Sequence, residues 1–197
     1  MMTVGITGGI GSGKTIVCKI FRQLGIPVYE ADAEAKKIYD EEPEVLEKIK
    51  NEISEDVFGK KGQLDKQKLA ALVFADEEAL QKLNRLVHPF VIRHFETWKQ
   101  RYKESPYILK EAAILFESGT DKGCDKIITV SSPVELRIQR AVKRDKRTLQ
   151  ETEQIVQKQW SDEEKIKRSD FVIVNDEQQL VIPQVLEIHA KLLDLNK

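Results

Sequence analysis

The sequence of 197 residues has no long hydrophobic run, only two cysteines and almost no net charge. No stretch approaches the roughly 18 consecutive apolar residues of a membrane-spanning helix. The apolar run 4–7 ends in glycines and does not continue as the core of a signal peptide. Cys18 and Cys124 are too few and too far apart for a disulfide framework, which is typical of a reducing compartment. These absences predict a cytoplasmic protein without a membrane partner.

The charges of the sequence are nearly balanced, with 32 basic against 33 acidic side chains and a net charge of −1. Binding to nucleic acid requires a basic face, which this balance does not supply by itself. We therefore expect no nucleic-acid partner. The length suits one buried core with a small appended region. The sequence is compatible with a monomer and with a small homo-oligomer.

Short β-branched or apolar runs alternate with segments of helical periodicity along much of the chain. The run 3–7 ends at Gly8 and is followed by a helical pattern over 14–24 and a second run at 25–29. Together they predict a βαβ unit whose two strands pair in parallel. Further strands are predicted at 107–116, 126–130 and 171–174, and further helices at 133–143 and 180–195. The alternation indicates an α/β fold, a parallel sheet flanked by helices.

Two segments depart from this alternation. Residues of about 33–103 are highly charged and carry apolar positions three or four apart, which predicts an inserted α-helical region. Residues of about 145–168 have few apolar anchors, as a mobile helical lid would, although a surface helix has the same pattern. The chain 1–197 is thus predicted to be one domain, with core 1–32 and 104–197, the helical insertion and the lid.

The strongest motif is the stretch from Gly8 to Thr15, which satisfies Gly-x-x-x-x-Gly-Lys-Ser/Thr between a predicted strand and a predicted helix. Such a loop, the P-loop, binds phosphates through its backbone N–H groups, its lysine and the positive end of the helix. A tight strand-to-helix connection would explain the glycines but not the Lys14–Thr15 pair. We predict that Thr15 binds Mg²⁺. The predicted ATP contacts are Gly9, Gly11, Ser12, Gly13, Lys14, Thr15 and Ile16.

A P-loop by itself does not distinguish a kinase from a GTPase or a motor ATPase. The Asn-Lys-x-Asp motif that recognises guanine is missing, since the nearest text, 174–177, lacks the lysine. The Asp-x-x-Gly at 56–59 follows a polar segment and is interpreted as a chance match. The apolar run 114–117 ends in one acid, where a motor ATPase would have two adjacent acids. A small-molecule kinase remains, which needs an acid near the acceptor hydroxyl and cations near the transferred phosphoryl group.

Candidates for both requirements exist. Asp32 follows the second predicted strand and would face the crevice at the carboxyl ends of the strands, or it caps a helix over 33–39. Arg137, Arg140 and Arg144 share one helical face and could bind phosphate oxygens, or they form a solvated cationic face.

These residues resemble the dephospho-coenzyme A kinases, a family of P-loop kinases similar to the nucleoside-monophosphate kinases. The resemblance runs over nearly the whole chain. Its motifs are Thr7 to Lys14, Val28 to Asp32, Phe58–Gly59, Gly62 to Asp65, Leu83 to Pro89, Ile114 to Glu117, Arg137, Arg140, Arg144–Asp145, Gln159, Lys165, Asp170 to Ile173 and Asn175.

The resemblance implies a P-loop NTPase fold and transfer of the ATP γ-phosphoryl group to the ribose 3′-hydroxyl of dephospho-coenzyme A. Asp32 would be the catalytic base and a substrate contact, with Lys14 and Arg140 as further catalytic groups and Arg144 as an ATP contact. The helical insertion would bind the substrate, with His88 as a contact, although a His before Pro89 is also typical of a capped helix start. The alternatives are another small-metabolite or nucleoside-monophosphate kinase, and a non-catalytic ATP-sensing module.

The sequence departs from the family pattern in three places. Glu30 replaces an aspartate and puts any metal contact there in doubt. Ala112–Ala113 stands where a proline is common, a change expected to be structural. Ile155 and Val156 occupy positions where the family often has an arginine and then an aliphatic residue. Arg140, Arg144 or Arg147 would have to supply the missing lid cation.

Overall fold

A computed structural model, which describes residues 1–60 and 62–195, contains one five-stranded parallel sheet. Its strands are β1 (Met2–Thr7), β2 (Val28–Glu30), β3 (Tyr107–Glu111), β4 (Lys126–Ser131) and β5 (Phe171–Val174). The helices are α1 (Lys14–Gln23), α2 (Ala31–Glu41), α3 (Pro43–Glu52), α4 (Lys66–Ala75), α5 (Glu77–Gln100), α6 (Val134–Asp145), α7 (Leu149–Lys158), α8 (Asp162–Lys167) and α9 (Val181–Asp194). The strand order is β2-β3-β1-β4-β5. The predicted α/β fold with a parallel sheet is confirmed.

The predicted pairing of the first two strands is wrong, because β3 lies between them. β1 pairs with β3 on one side and with β4 on the other, and β2 pairs with β3. Residues 107–109 of β3 are fully buried. A strand buried in this way needs neighbours on both sides to satisfy its backbone groups. The three-residue β2 therefore takes the edge position.

The strand predicted at 107–116 is too long, since β3 ends at Glu111. The register places Glu111 beside Ile6 of β1, and β1 ends one residue later, at Thr7. The N–H of Ala112 donates a hydrogen bond of 3.1 Å to the Ile6 carbonyl. The described strand pairing between β1 and β3 ends there, and the residues after Ala112 form a turn. Glu111 consequently lies at the carboxyl edge of the sheet, beside the end of β1.

Residues 1–30 and 102–197 form the first of two compact units, and its core joins the sheet to α1 and α9. Val17 and Phe21 of α1 are fully buried, one helical turn apart, and so is Leu192 of α9. Phe21 also meets Tyr107 edge to face, with ring centroids 6.5 Å apart. This packing fixes α1, which begins at Lys14, against the sheet.

We expect Phe21→Ala to lower the free energy of unfolding by about 3–5 kcal/mol, because it leaves a cavity at a fully buried position. Urea unfolding followed by circular dichroism measures the loss. Ile16→Ala on the same helix is the control, since Ile16 is 57% exposed and its replacement should change stability by less than about 1 kcal/mol. Equal losses in the two variants would contradict the assigned core.

Residues 31–101 form the second compact unit, which consists mainly of α2 to α5. Its own buried cluster includes Ile38, Val45, Ile49 and Leu86. The unit is helical, as the periodicity of this region predicts. Among the described residues, no helix is both long and apolar enough to cross a membrane.

The alternative of a helix start at His88 is wrong, because α5 continues through Pro89. Proline lacks an N–H and leaves the carbonyl of Arg85, four residues earlier, without its helical hydrogen bond. Both Pro89 and Arg85 are exposed, so water can satisfy that carbonyl. His88 lies within the helix and is partly buried.

Candidate active site

The loop between β1 and α1 has the backbone of a phosphate cradle. Gly8, Gly11 and Gly13 have φ angles of 149°, 76° and 99°, in the range that favours glycine. A Cβ atom at Gly8 would meet the carbonyl of Val130, and one at Gly11 would meet the backbone of Arg137. Within the described chain, no side chain caps α1. The amides at this helix start are therefore available to an anion.

Lys14 folds back over this loop. Its Nζ donates a hydrogen bond of 2.8 Å to the Gly8 carbonyl and lies 3.4 Å from the Gly9 carbonyl and 3.9 Å from Oε1 of Glu111. The Lys14 residue is only 9% exposed. A buried ammonium held by its own loop is poised to exchange carbonyl contacts for phosphate oxygens.

Two side-chain amides brace the loop from other elements. The N–H of Ile10 donates to Oε1 of Gln159 at 2.8 Å, and Nδ2 of Asn175 donates to the carbonyl of Ser12 at 2.8 Å. Oγ of Ser12 is buried and has no hydrogen-bond partner in the described part of the chain. An orphaned hydroxyl at this place fits a loop that completes its contacts with a bound anion.

Arg137 lies behind the loop in a buried ion pair. Its Nη1 is 2.7 Å from Oδ1 of Asp162, and its side chain is 3% exposed. Oδ2 of Asp162 accepts hydrogen bonds from Oγ of Ser131 and the N–H of Ser132. The guanidinium also occupies the space that a side chain at Gly9 would need. Arg137 therefore shapes the loop from the protein side, and it is not part of a solvated cationic face.

Removing one partner of this pair should be costly. We expect Asp162→Ala to lower the free energy of unfolding by about 3–5 kcal/mol, because it leaves the Arg137 charge buried without its carboxylate. Denaturant unfolding provides the measurement. The adjacent and exposed Glu163 gives the matched control, and an Asp162→Ala protein as stable as Glu163→Ala would contradict the assignment.

The other two arginines of α6 have different surroundings. Nη1 of Arg140 donates to Oγ of Ser132 and to the carbonyl of Asn175, and its Nη2 lies 3.0 Å from Oε1 of Glu177. Arg144 pairs with its neighbour Asp145, and its side chain is 59% exposed. The hydrogen bond between them raises the pKa of Arg144 and lowers that of Asp145. Arg140 is thus connected to the segment that braces Ser12, whereas the described contacts of Arg144 are with Asp145.

Two residues within the predicted lid, Trp160 and Lys165, are fixed to other parts of the first unit. Lys165 is fully buried, and its Nζ contacts Oε1 of Glu117 at 3.0 Å and the carbonyl of Ala113 at 3.1 Å. Trp160 stacks on Phe116 with ring centroids 5.9 Å apart, and the backbone N–H of Trp160 donates a hydrogen bond to Oε1 of Glu117. One buried lysine and one stacked ring therefore hold the part of this segment that contains α8.

A cleft of about 420 Å³ opens beside the loop, between the end of β4 and the segment that joins α7 to α8. Arg137, Gln159, Trp160 and Asp162 line it together with Val156. Val156, which directly follows the departing residue Ile155, gives this wall an apolar side chain.

Asp32 and His88 lie in the second unit. Asp32 is exposed and directly follows Ala31, the first residue of α2. It therefore lies in the first turn of the helix, not at the capping position, because the helix begins earlier than predicted. It stands two residues after the last residue of β2.

Glu30, which departs from the family pattern, pairs with Arg22 of α1 at 2.7 Å. Cys18 and Cys124 are free thiols. Burial, and secondarily the negative charge of Glu111, raises the pKa of Cys18 to about 12, so Cys18 is no nucleophile at neutral pH. Sequence reasoning missed Glu111 and Asp162. A sequence signal for Glu111 exists in the alternation of β3, where Tyr107 and Leu109 precede it on the same face. Asp162 has no such signal.

Comparison with known proteins agrees with the resemblance. The family model described as dephospho-CoA kinase matches residues 2–180. The chain is 41% identical over 187 residues to a dephospho-CoA kinase from Bacteroides fragilis, which covers 95% of this chain and 91% of that protein. Among solved structures, TT1252 from Thermus thermophilus has 33% identity and a TM-score of 0.86, with 96% of each chain covered. The dephospho-CoA kinase from Campylobacter jejuni has 28% identity and a TM-score of 0.71, with 99% of this chain and 98% of that chain covered.

Proposed function

This chain belongs to the dephospho-CoA kinase family, and on that premise we propose that it transfers the γ-phosphoryl group of ATP to the ribose 3′-hydroxyl of dephospho-coenzyme A. The products are coenzyme A and ADP, and the reaction is the last step of coenzyme A synthesis. The observation that carries the proposal is the glycine cradle with Lys14 folded over it, in a chain matched along almost its whole length.

The loop and Lys14 bind the triphosphate. The backbone of the loop surrounds the phosphate oxygens, with Ile16 in the first turn of α1. The contacts are Gly9, Gly11, Ser12, Gly13, Lys14 and Thr15. Lys14 leaves the carbonyl of Gly8 for the β- and γ-phosphates. Arg140 neutralises charge on the transferred phosphoryl group, and Arg144 contacts ATP.

The donor set fits Mg²⁺. Thr15 supplies a hydroxyl oxygen directly after Lys14, and the described residues contain no group of three or more His, Cys, Asp or Glu side chains placed to hold a metal. The ion would therefore take most of its ligands from phosphate oxygens and water, as Mg²⁺ commonly does. When bound, Mg²⁺ neutralises the negative charge that develops on the phosphate oxygens.

Asp32 accepts the proton of the 3′-hydroxyl. The support is its exposed position two residues after β2 and the role that the family resemblance gives it. The second unit binds dephospho-coenzyme A, with His88 of α5 as one contact. We further propose a cytoplasmic enzyme that acts on small molecules without nucleic-acid or membrane partners, as a monomer or small homo-oligomer.

An acceptor panel tests the proposed reaction. The protein is incubated with ATP, Mg²⁺ and either dephospho-coenzyme A, a nucleoside monophosphate or another small alcohol, and ADP release is followed with a coupled assay. We expect ADP release with dephospho-coenzyme A and a product that carries one added phosphoryl group by mass spectrometry. Turnover with a different acceptor alone would favour another small-molecule kinase. ATP binding without any acceptor-dependent ADP release would favour a nucleotide sensor.

A further inference from the structure

Glu177, in the loop between β5 and α9, has a backbone conformation that favours glycine. Its φ angle is 66°, and in the described part of the chain only Lys146 is a second residue with a side chain at a positive φ. Lys146 ends α6, where this conformation is common, whereas Glu177 ends no helix. Strain of this kind in a residue with a side chain is found mainly at functional sites. The position therefore points to a use for the Glu177 carboxylate.

The loop does not need the Glu177 carboxylate for its shape. Oδ1 of Asp176 accepts hydrogen bonds from the N–H groups of Gln178 and Gln179, at 3.0 and 2.9 Å, and so closes the turn. The side chain of Glu177 is 64% exposed, and its Oε1 lies 3.0 Å from Nη2 of Arg140. The carboxylate therefore contacts a residue of another element, and that residue is the proposed cation of phosphoryl transfer.

Arg140 is held near the phosphate-binding loop without Glu177. Its Nη1 donates hydrogen bonds to Oγ of Ser132 at 3.1 Å and to the carbonyl of Asn175 at 3.2 Å. The side chain of Asn175 in turn donates to the carbonyl of Ser12 in the loop. Nη1 is thus occupied by neutral acceptors, whereas Nη2 donates to Glu177. Loss of the carboxylate would leave Arg140 in place with Nη2 open to an anion.

A carboxylate and a phosphate bind a guanidinium through the same N–H donors. We propose that Glu177 is an internal competitor of ATP: in the free protein its carboxylate occupies Nη2 of Arg140, and the phosphate oxygens of ATP displace it. An exposed pair of this kind contributes little free energy, so Glu177 weakens ATP binding by a few-fold and does not block it. The inference rests on the proposed function, because it assumes that Arg140 contacts the phosphates of ATP.

ATP affinity provides the test, because a competitor and a supporting residue have opposite effects on it. We expect Glu177→Gln to bind MgATP about two- to fivefold more tightly than wild type in calorimetry at low salt, the range that corresponds to an exposed ion pair. The difference should shrink at about 0.5 M salt, since exposed charges are then screened. KM for ATP should fall by a similar factor while kcat stays at the wild-type value, because the carboxylate is displaced before transfer begins.

Three variants control the measurement. Glu187→Gln removes the same charge from an exposed ion pair on α9 and should leave ATP affinity unchanged. Glu177→Gly removes the carboxylate and suits the positive φ, so it should bind ATP as tightly as Glu177→Gln and separate the effect of charge from that of strain. In an Arg140→Gln background, Glu177→Gln should have no further effect on ATP affinity, since the pair is already broken.

Three results would overturn the proposal. Weaker ATP binding by Glu177→Gln would make Glu177 a support of the site. Tighter binding that persists in the Arg140→Gln background would be a general effect of charge, and an unchanged affinity would leave the pair without influence on ATP. The proposed reaction fails on a different measurement, wild-type turnover with dephospho-coenzyme A, because the ATP titrations contain no acceptor. Normal wild-type turnover together with an unchanged ATP affinity of Glu177→Gln would remove the Glu177 assignment alone.

Discussion

Lys14→Ala is expected to lower kcat for dephospho-coenzyme A phosphorylation by about 10³-fold. The transition state of phosphoryl transfer is stabilised mainly by positioning and by cations on the phosphate oxygens, and a single such donor contributes two to three orders of magnitude. Lys14 is the buried cation of the loop, 2.8 Å from the Gly8 carbonyl. Steady-state kinetics at saturating ATP and acceptor measure the effect.

The control for Lys14→Ala is Lys19→Ala on the same helix, since Lys19 is exposed and lies outside the loop. Its rate should equal that of wild type, and circular dichroism should show both variants folded. A folded Lys14→Ala enzyme with near-normal kcat would refute the assignment of the loop as the site of phosphoryl transfer.

Asp32→Asn is expected to lower kcat by about 10²–10⁴-fold, because the acceptor hydroxyl loses its general base. ATP affinity measured by calorimetry should stay unchanged, since the proposed ATP contacts lie in the loop and in α6. Asp40→Asn provides the control. Asp40 is an exposed acid of the same helix whose carboxylate pairs with Lys66, and its loss should leave kcat intact. Normal turnover of Asp32→Asn would leave Asp32 a plain first-turn residue of α2.

The phosphate-binding loop could be predicted from sequence because its information is local. The strand, the glycines and the helix that begins at Lys14 are contiguous in sequence. Each residue type of the motif has a single physical role at its position. The strand 171–174 was likewise predicted with its observed bounds, since a short apolar run between polar segments has few other interpretations.

The predictions that failed concern features that depend on residues far away in the sequence. The place of β3 between β1 and β2 is decided by burial of 107–109, which no pattern near β2 reveals. Pro89 lies inside α5 because its side of the helix is solvated, a condition set by tertiary packing. Asp162 has sequence features of an ordinary first-turn acid, and only the approach of Arg137 makes it a buried ion-pair partner.

The packing of Trp160 offers an optical consequence. The chain has two tryptophans, and they belong to different units: Trp98 stacks on Phe95 in α5 with centroids 6.2 Å apart, and Trp160 stacks on Phe116 with the Arg168 guanidinium 4.6 Å from its ring. Replacing Trp98 by phenylalanine would leave Trp160 as the one indole of the chain. Its fluorescence emission would depend on the stacked Phe116 ring and on the Arg168 guanidinium. The protein therefore carries its own fluorescent reporter of the packing between the segment that joins α7 to α8 and Phe116.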